Sequence, residues 1–138
     1  MRDALDFWLG RWVVHTTDGK PAGTNHVERA LDGQVIIEHW TGADGSEGKS
    51  FFWLDDDAGT WRQVWVGAGH HKEKTLVEHS PHMACFEGRA FVYERGITIS
   101  DRATLTAERD GTVRQLIEYS RDDGATWTVS FDALYVPA

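Results

Sequence analysis

Turn-forming dipeptides punctuate this chain at near-even intervals, and most stretches between them alternate apolar with polar residues. Asp18-Gly19, Asp32-Gly33 and Asp110-Gly111 are strong hairpin signals, because Asp and Gly accept the left-handed backbone that tight turns require. Residues 55–59 (Asp-Asp-Asp-Ala-Gly) and Asp122-Asp123-Gly124 read as further turns, and residues 42–48 as a looser polar loop. The spacing predicts strands over Trp12–Thr17, Gly23–Leu31, Gln34–Thr41, Lys49–Leu54 and Thr60–Val66. A loop is expected at residues 67–72, then strands Lys74–His79 and Met83–Glu87, a tight turn at Gly88-Arg89, and Ala90–Glu94. Arg102–Arg109, Thr112–Ser120 and Thr126–Val136 complete a meander of about ten strands. A short helix is expected first, from Asp3 to Leu9, with Leu5, Trp8 and Leu9 on one face and Gly10 ending it.

Alternation means one buried face and one wet face. The stretch Thr60–Val66 shows it best: Trp61, Gln63 and Trp65 share one side, Arg62, Val64 and Val66 the other. Such strands close into a barrel or stack as a two-sheet sandwich, and pattern alone does not choose between them. The 138 residues fit one domain, 1–138, and carry seven Trp, six Phe and three Tyr, ring surface that must fill a core, line a cavity, or both.

The formal charge of −8 argues against nucleic acid and against anionic membrane surfaces as partners. No apolar run is long enough to span a bilayer, and residues 1–7 lack a signal-peptide pattern. A lone cysteine, Cys85, allows no internal disulfide. A cytoplasmic monomer or homodimer is therefore expected.

Gly10-Arg11-Trp12, a G-x-W entering the first strand, resembles the lipocalin and calycin signature. The longer Asp6-Phe7-Trp8-Leu9-Gly10-Arg11-Trp12 is similar to the start of a bacterial, uncharacterised lipocalin-like (calycin-like) family. Gly23-Thr24-Asn25, Glu38-His39-Trp40-Thr41-Gly42 and Trp61-Arg62-Gln63-Val64-Trp65 extend that resemblance. It implies an all-β, closed antiparallel up-and-down barrel of about 8–10 strands with a short N-terminal helix, Trp12 plugging its base. Residues 120–127 also match the Asp-box pattern S-x-D-x-G-x-T-W; one copy without a propeller repeat reads as a hairpin turn.

Polar residues on apolar faces are the candidate site. Phased with Trp12, the residues Asn25, Glu38, Trp40, Gln63 and Trp65 point inward, and Arg114, Gln115 and Glu118 are further candidates of unclear phase. A buried Glu38 needs a partner, for which Arg114 is the expected choice. Phe52, Trp53, Tyr93 and Tyr135, with Trp40 and Trp65, offer apolar walls. Together these predict a cavity binding one small apolar or aromatic molecule without a cofactor.

Two alternatives stay open. One is a cofactor-free isomerase or cyclase using Glu38 or Glu118, with Tyr93 or Tyr135 as donor; the other is a solid barrel acting as a protein-interaction module. Glu38 and His39, adjacent in a strand, face opposite sides and cannot form a dyad inside it. His70, His71, His79 and His82 read as exposed loop histidines rather than metal ligands, and Cys85 as packed rather than reactive.

Overall fold

A computed structural model describes residues 1–138. The strands are β1 (Gly10–Thr16), β2 (Pro21–Ala30), β3 (Val35–Gly42), β4 (Glu47–Asp55) and β5 (Thr60–Gly67). The second half of the chain supplies β6 (His70–Ser80), β7 (Met83–Val92), β8 (Ile97–Ala107), β9 (Val113–Ser120) and β10 (Thr128–Pro137). Each strand pairs antiparallel with the next, and β10 returns to β1 with Val14 opposite Tyr135, closing an up-and-down barrel with no free edge. Closure settles the choice between barrel and sandwich. No helix is long and apolar enough to cross a membrane.

Three expectations need correction. The opening helix is a single 3-10 turn, Asp6–Trp8, held by bonds from Asp6 N to Asp3 O and Trp8 N to Leu5 O. Gly10 already begins β1, so the chain has room for one turn and not two. The expected tight turn at Gly88-Arg89 lies inside β7, which runs unbroken through both strands predicted there. Gly88 stands between Lys74 of β6 and Asp101 of β8, and a Cβ on it would lie 1.9 Å from the Glu73 carbonyl oxygen. It marks a close backbone approach within a sheet. Finally, the loop expected at residues 67–72 shrinks to Ala68-Gly69, with His70, His71 and Lys72 in β6.

One end of the barrel is packed solid. Leu5, Trp8, Trp12, Ile36, Phe52, Trp61, Phe86, Leu105, Val113 and Tyr135 form a single buried cluster there. Its rings meet edge to face: Trp8 on Phe52 at 5.4 Å and Phe52 on Phe86 at 5.5 Å. The N-terminal segment caps this end through hydrogen bonds that a sliding plug would lose. Trp12 Nε1 donates to the Trp8 carbonyl (3.1 Å), Trp61 Nε1 donates to the Met1 carbonyl (2.8 Å), and Arg29 pairs with Asp6.

The Asp-box segment is a turn between β9 and β10. Asp122 accepts from Thr126 N and from the Ser120 and Thr126 hydroxyls, while Trp127 lies against the Arg102 guanidinium at 4.0 Å.

Candidate functional site

Every second residue of a strand faces inward, so each strand sends side chains to successive levels of the interior. The packed cluster is the lowest level. The next is polar: Asn25 (β2), Glu38 (β3), Ser50 (β4), Gln63 (β5), Lys74 (β6), Asp101 (β8) and Gln115 (β9), all buried. Above that belt the barrel is hollow. A cavity of about 370 Å³ opens there, walled by Trp40, Trp65, Ile99, Ile117, Phe131 and Tyr119, with Lys72 and His70 on one side. Tyr135, Glu38, Gln63, Lys74, Asp101 and Gln115 form its floor.

Two tryptophans shape the walls because glycines make room for them. A Cβ on Gly48 would fall 2.3 Å from the Trp65 ring, and one on Gly23 would fall 2.9 Å from the Trp40 ring. Each indole therefore lies across a bare strand instead of filling the space between walls. Trp65 Nε1 is buried without an acceptor, and the ring stacks on His70 at 6.3 Å.

The floor holds an ion cluster. Lys74 Nζ donates to Asp101 Oδ2 at 2.6 Å, and Lys72 Nζ lies 3.2 Å from the same oxygen. The side chains are 2%, 3% and 11% exposed for Lys74, Asp101 and Lys72, so water screens them weakly. Burial pushes the Lys74 ammonium down to about 8, Lys72 adds to the drop, and Asp101 and Glu38 oppose it. Burial alone would raise the Asp101 carboxyl, but Lys74 and Lys72 outweigh it and hold the group below the usual carboxylate range.

Glu38 sits across the floor. Burial pushes its carboxyl up to about 7, against hydrogen bonds from Ser50 and Asn25 and the pull of both lysines. Asn25 Nδ2 donates to Glu38 Oε2 at 3.0 Å, and Gln63 Nε2 donates to Ser50 Oγ at 3.0 Å. Tyr135 accepts from Gln115 at 2.6 Å, and its phenol is held well above its ordinary value by burial and then by Glu38. It remains a neutral hydroxyl with one proton to donate. Burial, and secondarily Lys72, also lowers the half-buried His70 imidazole. With Glu38 protonated, the interior carries two ammonium groups against one carboxylate.

The expected site residues divide clearly. Trp40, Gln63, Trp65, Glu38 and Tyr135 border the cavity, and Asn25 reaches it only through Glu38. Phe52 lies in the packed end, below the hollow, and Trp53 takes the opposite face of β4. Three candidates belong to the outer surface. Arg114 does not meet Glu38; it forms a two-pronged pair with Asp132 at 2.9 and 2.7 Å outside the barrel. Glu118 pairs with Arg102 at 3.2 Å on the same outer face. Tyr93 is 46% exposed at the rim, its hydroxyl 3.1 Å from His71 Nδ1. The phase of β9 decides the first two: Val113 and Gln115 point in, so Arg114 and Glu118 point out.

Sequence reasoning missed Lys72, Lys74, Asp101 and His70. Lys74 heads a predicted strand with nothing in the pattern to turn it inward; His70 and Lys72 fall in the expected loop and Asp101 just before a predicted strand. The signal available was the spacing His70, Lys72, Lys74, Leu76, a two-residue period that a strand, not a loop, would produce. His79 and His82 flank the exposed β6–β7 turn, and Cys85 is buried with Thr104 Oγ1 at 3.7 Å. Burial raises the Cys85 thiol. No protein-family model matches this chain, and no curated protein matches it in sequence.

Proposed function

We propose that the barrel binds one small molecule with an apolar or aromatic body and an anionic head, the body between Trp40, Trp65 and Phe131 and the head on Lys72 and Lys74. The observation that carries this reading is the ion cluster beneath an aromatic-walled space. Buried ion pairs are seldom worth more to stability than apolar residues of the same size, so a charged floor in a small barrel is a poor way to build a core. A ligand carboxylate or sulfonate would supply the anion that Lys72 and Lys74 together lack. Wall chemistry and a few convergent polar groups are the ordinary make-up of a small-molecule site. The lipocalin-like resemblance of the N-terminal motif agrees with this reading, and an interaction module built on a solid barrel would not leave the upper interior hollow.

The test uses two probes that share their rings, anilinonaphthalene sulfonate and its neutral parent phenylnaphthylamine. Raising pH first ionises Glu38 near 7, adding a negative charge, and then discharges Lys74 near 8, so each step makes the floor less positive. The sulfonate should bind at one equivalent near pH 6 and weaken by about tenfold above pH 8, the size of one buried charge interaction. The neutral probe should change little. Equal pH dependence for both probes, or no saturable binding of either, would overturn the proposal.

One observation favours a second reading, a cofactor-free enzyme. Glu38 can gain or lose a proton near neutrality at the floor of the cavity, as a general acid or base must. Glu38→Gln tells the two apart, because it removes turnover but leaves anionic binding intact.

A further inference from the structure

The outer faces of β2 and β3 hold a second, unrelated cluster. His26 and Glu28 are two residues apart on β2, so both point away from the barrel interior, and His39 of β3 stands directly opposite His26. Glu28 Oε2 lies 2.9 Å from His39 Nε2 and 3.4 Å from His26 Nδ1. The two imidazoles stack at 5.7 Å with their planes 25° apart. One donor atom from each of the three residues lies within 4.8 Å of the others. We propose that this trio is a divalent transition-metal site, with zinc the expected ion and water completing its coordination.

Two imidazole nitrogens and one carboxylate oxygen form the donor set that suits zinc and its late first-row neighbours; calcium and magnesium prefer oxygen cages. Contraction to zinc-ligand distances of about 2.0–2.2 Å needs only side-chain rotation, because the backbone already brings the three residues together. All three side chains are 30–42% exposed, so an ion can enter from solvent. This inference does not rest on the cavity, since His39 and Glu38 occupy opposite faces of β3.

Lys49 adds a specific consequence. Its Nζ lies 2.8 Å from His39 Nδ1, across the β3–β4 pair. With Nδ1 accepting from that ammonium, the ring proton sits on Nε2, where it faces Glu28. Metal binding through Nε2 moves that proton to Nδ1, and two donors then face each other. Exposed Lys49 must swing away, so it acts as a competitor for the site.

Zinc titration of the full chain by calorimetry tests this, with cobalt absorption as a second report on coordination. Zinc should saturate at one equivalent. His26→Ala and His39→Ala should each weaken binding at least tenfold, Glu28→Gln about tenfold, and Lys49→Ala should tighten it by up to about tenfold. Replacing both His79 and His82, or both His70 and His71, should leave it unchanged. Circular dichroism melts establish that each variant folds. The proposal fails if zinc does not saturate by about 1 mM. It fails equally if the His79/His82 or His70/His71 variants abolish binding while His39→Ala does not, or if Lys49→Ala weakens it.

Discussion

Trp61 and Trp65 are four residues apart on the same face of β5, and they do opposite things. Trp61 is 1% exposed, wedged in the packed end with its Nε1 bonded to the Met1 carbonyl. Trp65 lies flat over Gly48 at the edge of the hollow, and its Nε1 has no acceptor. One strand thus serves as core at one end and as wall at the other. What separates them is what surrounds each ring: the packed cluster closes on Trp61, while Trp65 lies on a bare glycine of the neighbouring strand and faces the open cavity. Inward direction is a property of the strand, whereas packing is a property of the level.

The largest expected effect lies in that pair. Trp61→Ala should cost about 4 kcal/mol in chemical denaturation, the usual price of deleting a packed ring. Trp65→Ala should cost about 1 kcal/mol, because one side of the ring already meets empty space. Equal losses would erase the distinction between the two ends.

The polar belt is sharpened by Asp101→Asn, which leaves Lys72 and Lys74 buried without their counter-ion. A loss of about 3 kcal/mol near neutral pH is expected, since removing one partner of a buried pair strands the other. Replacing all three together by apolar residues of similar size, Lys72→Met, Lys74→Met and Asp101→Leu, should restore stability to within about 1 kcal/mol while abolishing sulfonate binding. If the triple replacement is as unstable as the single one, the belt is structural.

Glu38 gives the next effect through pH. Between its ordinary value of 4.5 and about 7, the folded protein keeps the carboxyl proton while the unfolded chain loses it. Stability contributed by this group is therefore complete below about 4.5 and falls as pH rises to about 7, by up to about 3 kcal/mol. Glu38→Gln should remove that fall and make the curve flatter over this range. An unchanged slope would show that Glu38 is ionised throughout.

Much of this architecture is legible in the chain. Asp-Gly turns and the two-residue period of β5 specify a meander, and the phase set by Trp12 places Asn25, Glu38, Trp40, Gln63 and Trp65 inside. The rest escapes for three reasons. Phase is invisible in β9, where Arg114-Gln115 and Glu118-Tyr119 each pair a polar residue with one that could face either way; only pairing to β8 and β10 decides. Level is invisible everywhere, because Phe52 and Trp65 look alike until the stagger of the barrel places one below the belt and one above. Lys72 and Lys74 escape for a third reason: even at strand spacing, lysines read as the wet face unless an inward counter-charge, here Asp101 on β8, is already known.

The direct test of a hollow above a packed base is to fill it. Ile117→Trp puts an indole into the space between Trp40, Ile99 and Phe131. Calorimetric or fluorescence titration of this variant should show probe binding abolished with unfolding stability unchanged or higher, because the added ring occupies vacant volume. A loss of about 1–3 kcal/mol, as overpacking a filled core produces, together with undiminished probe binding, would contradict the account.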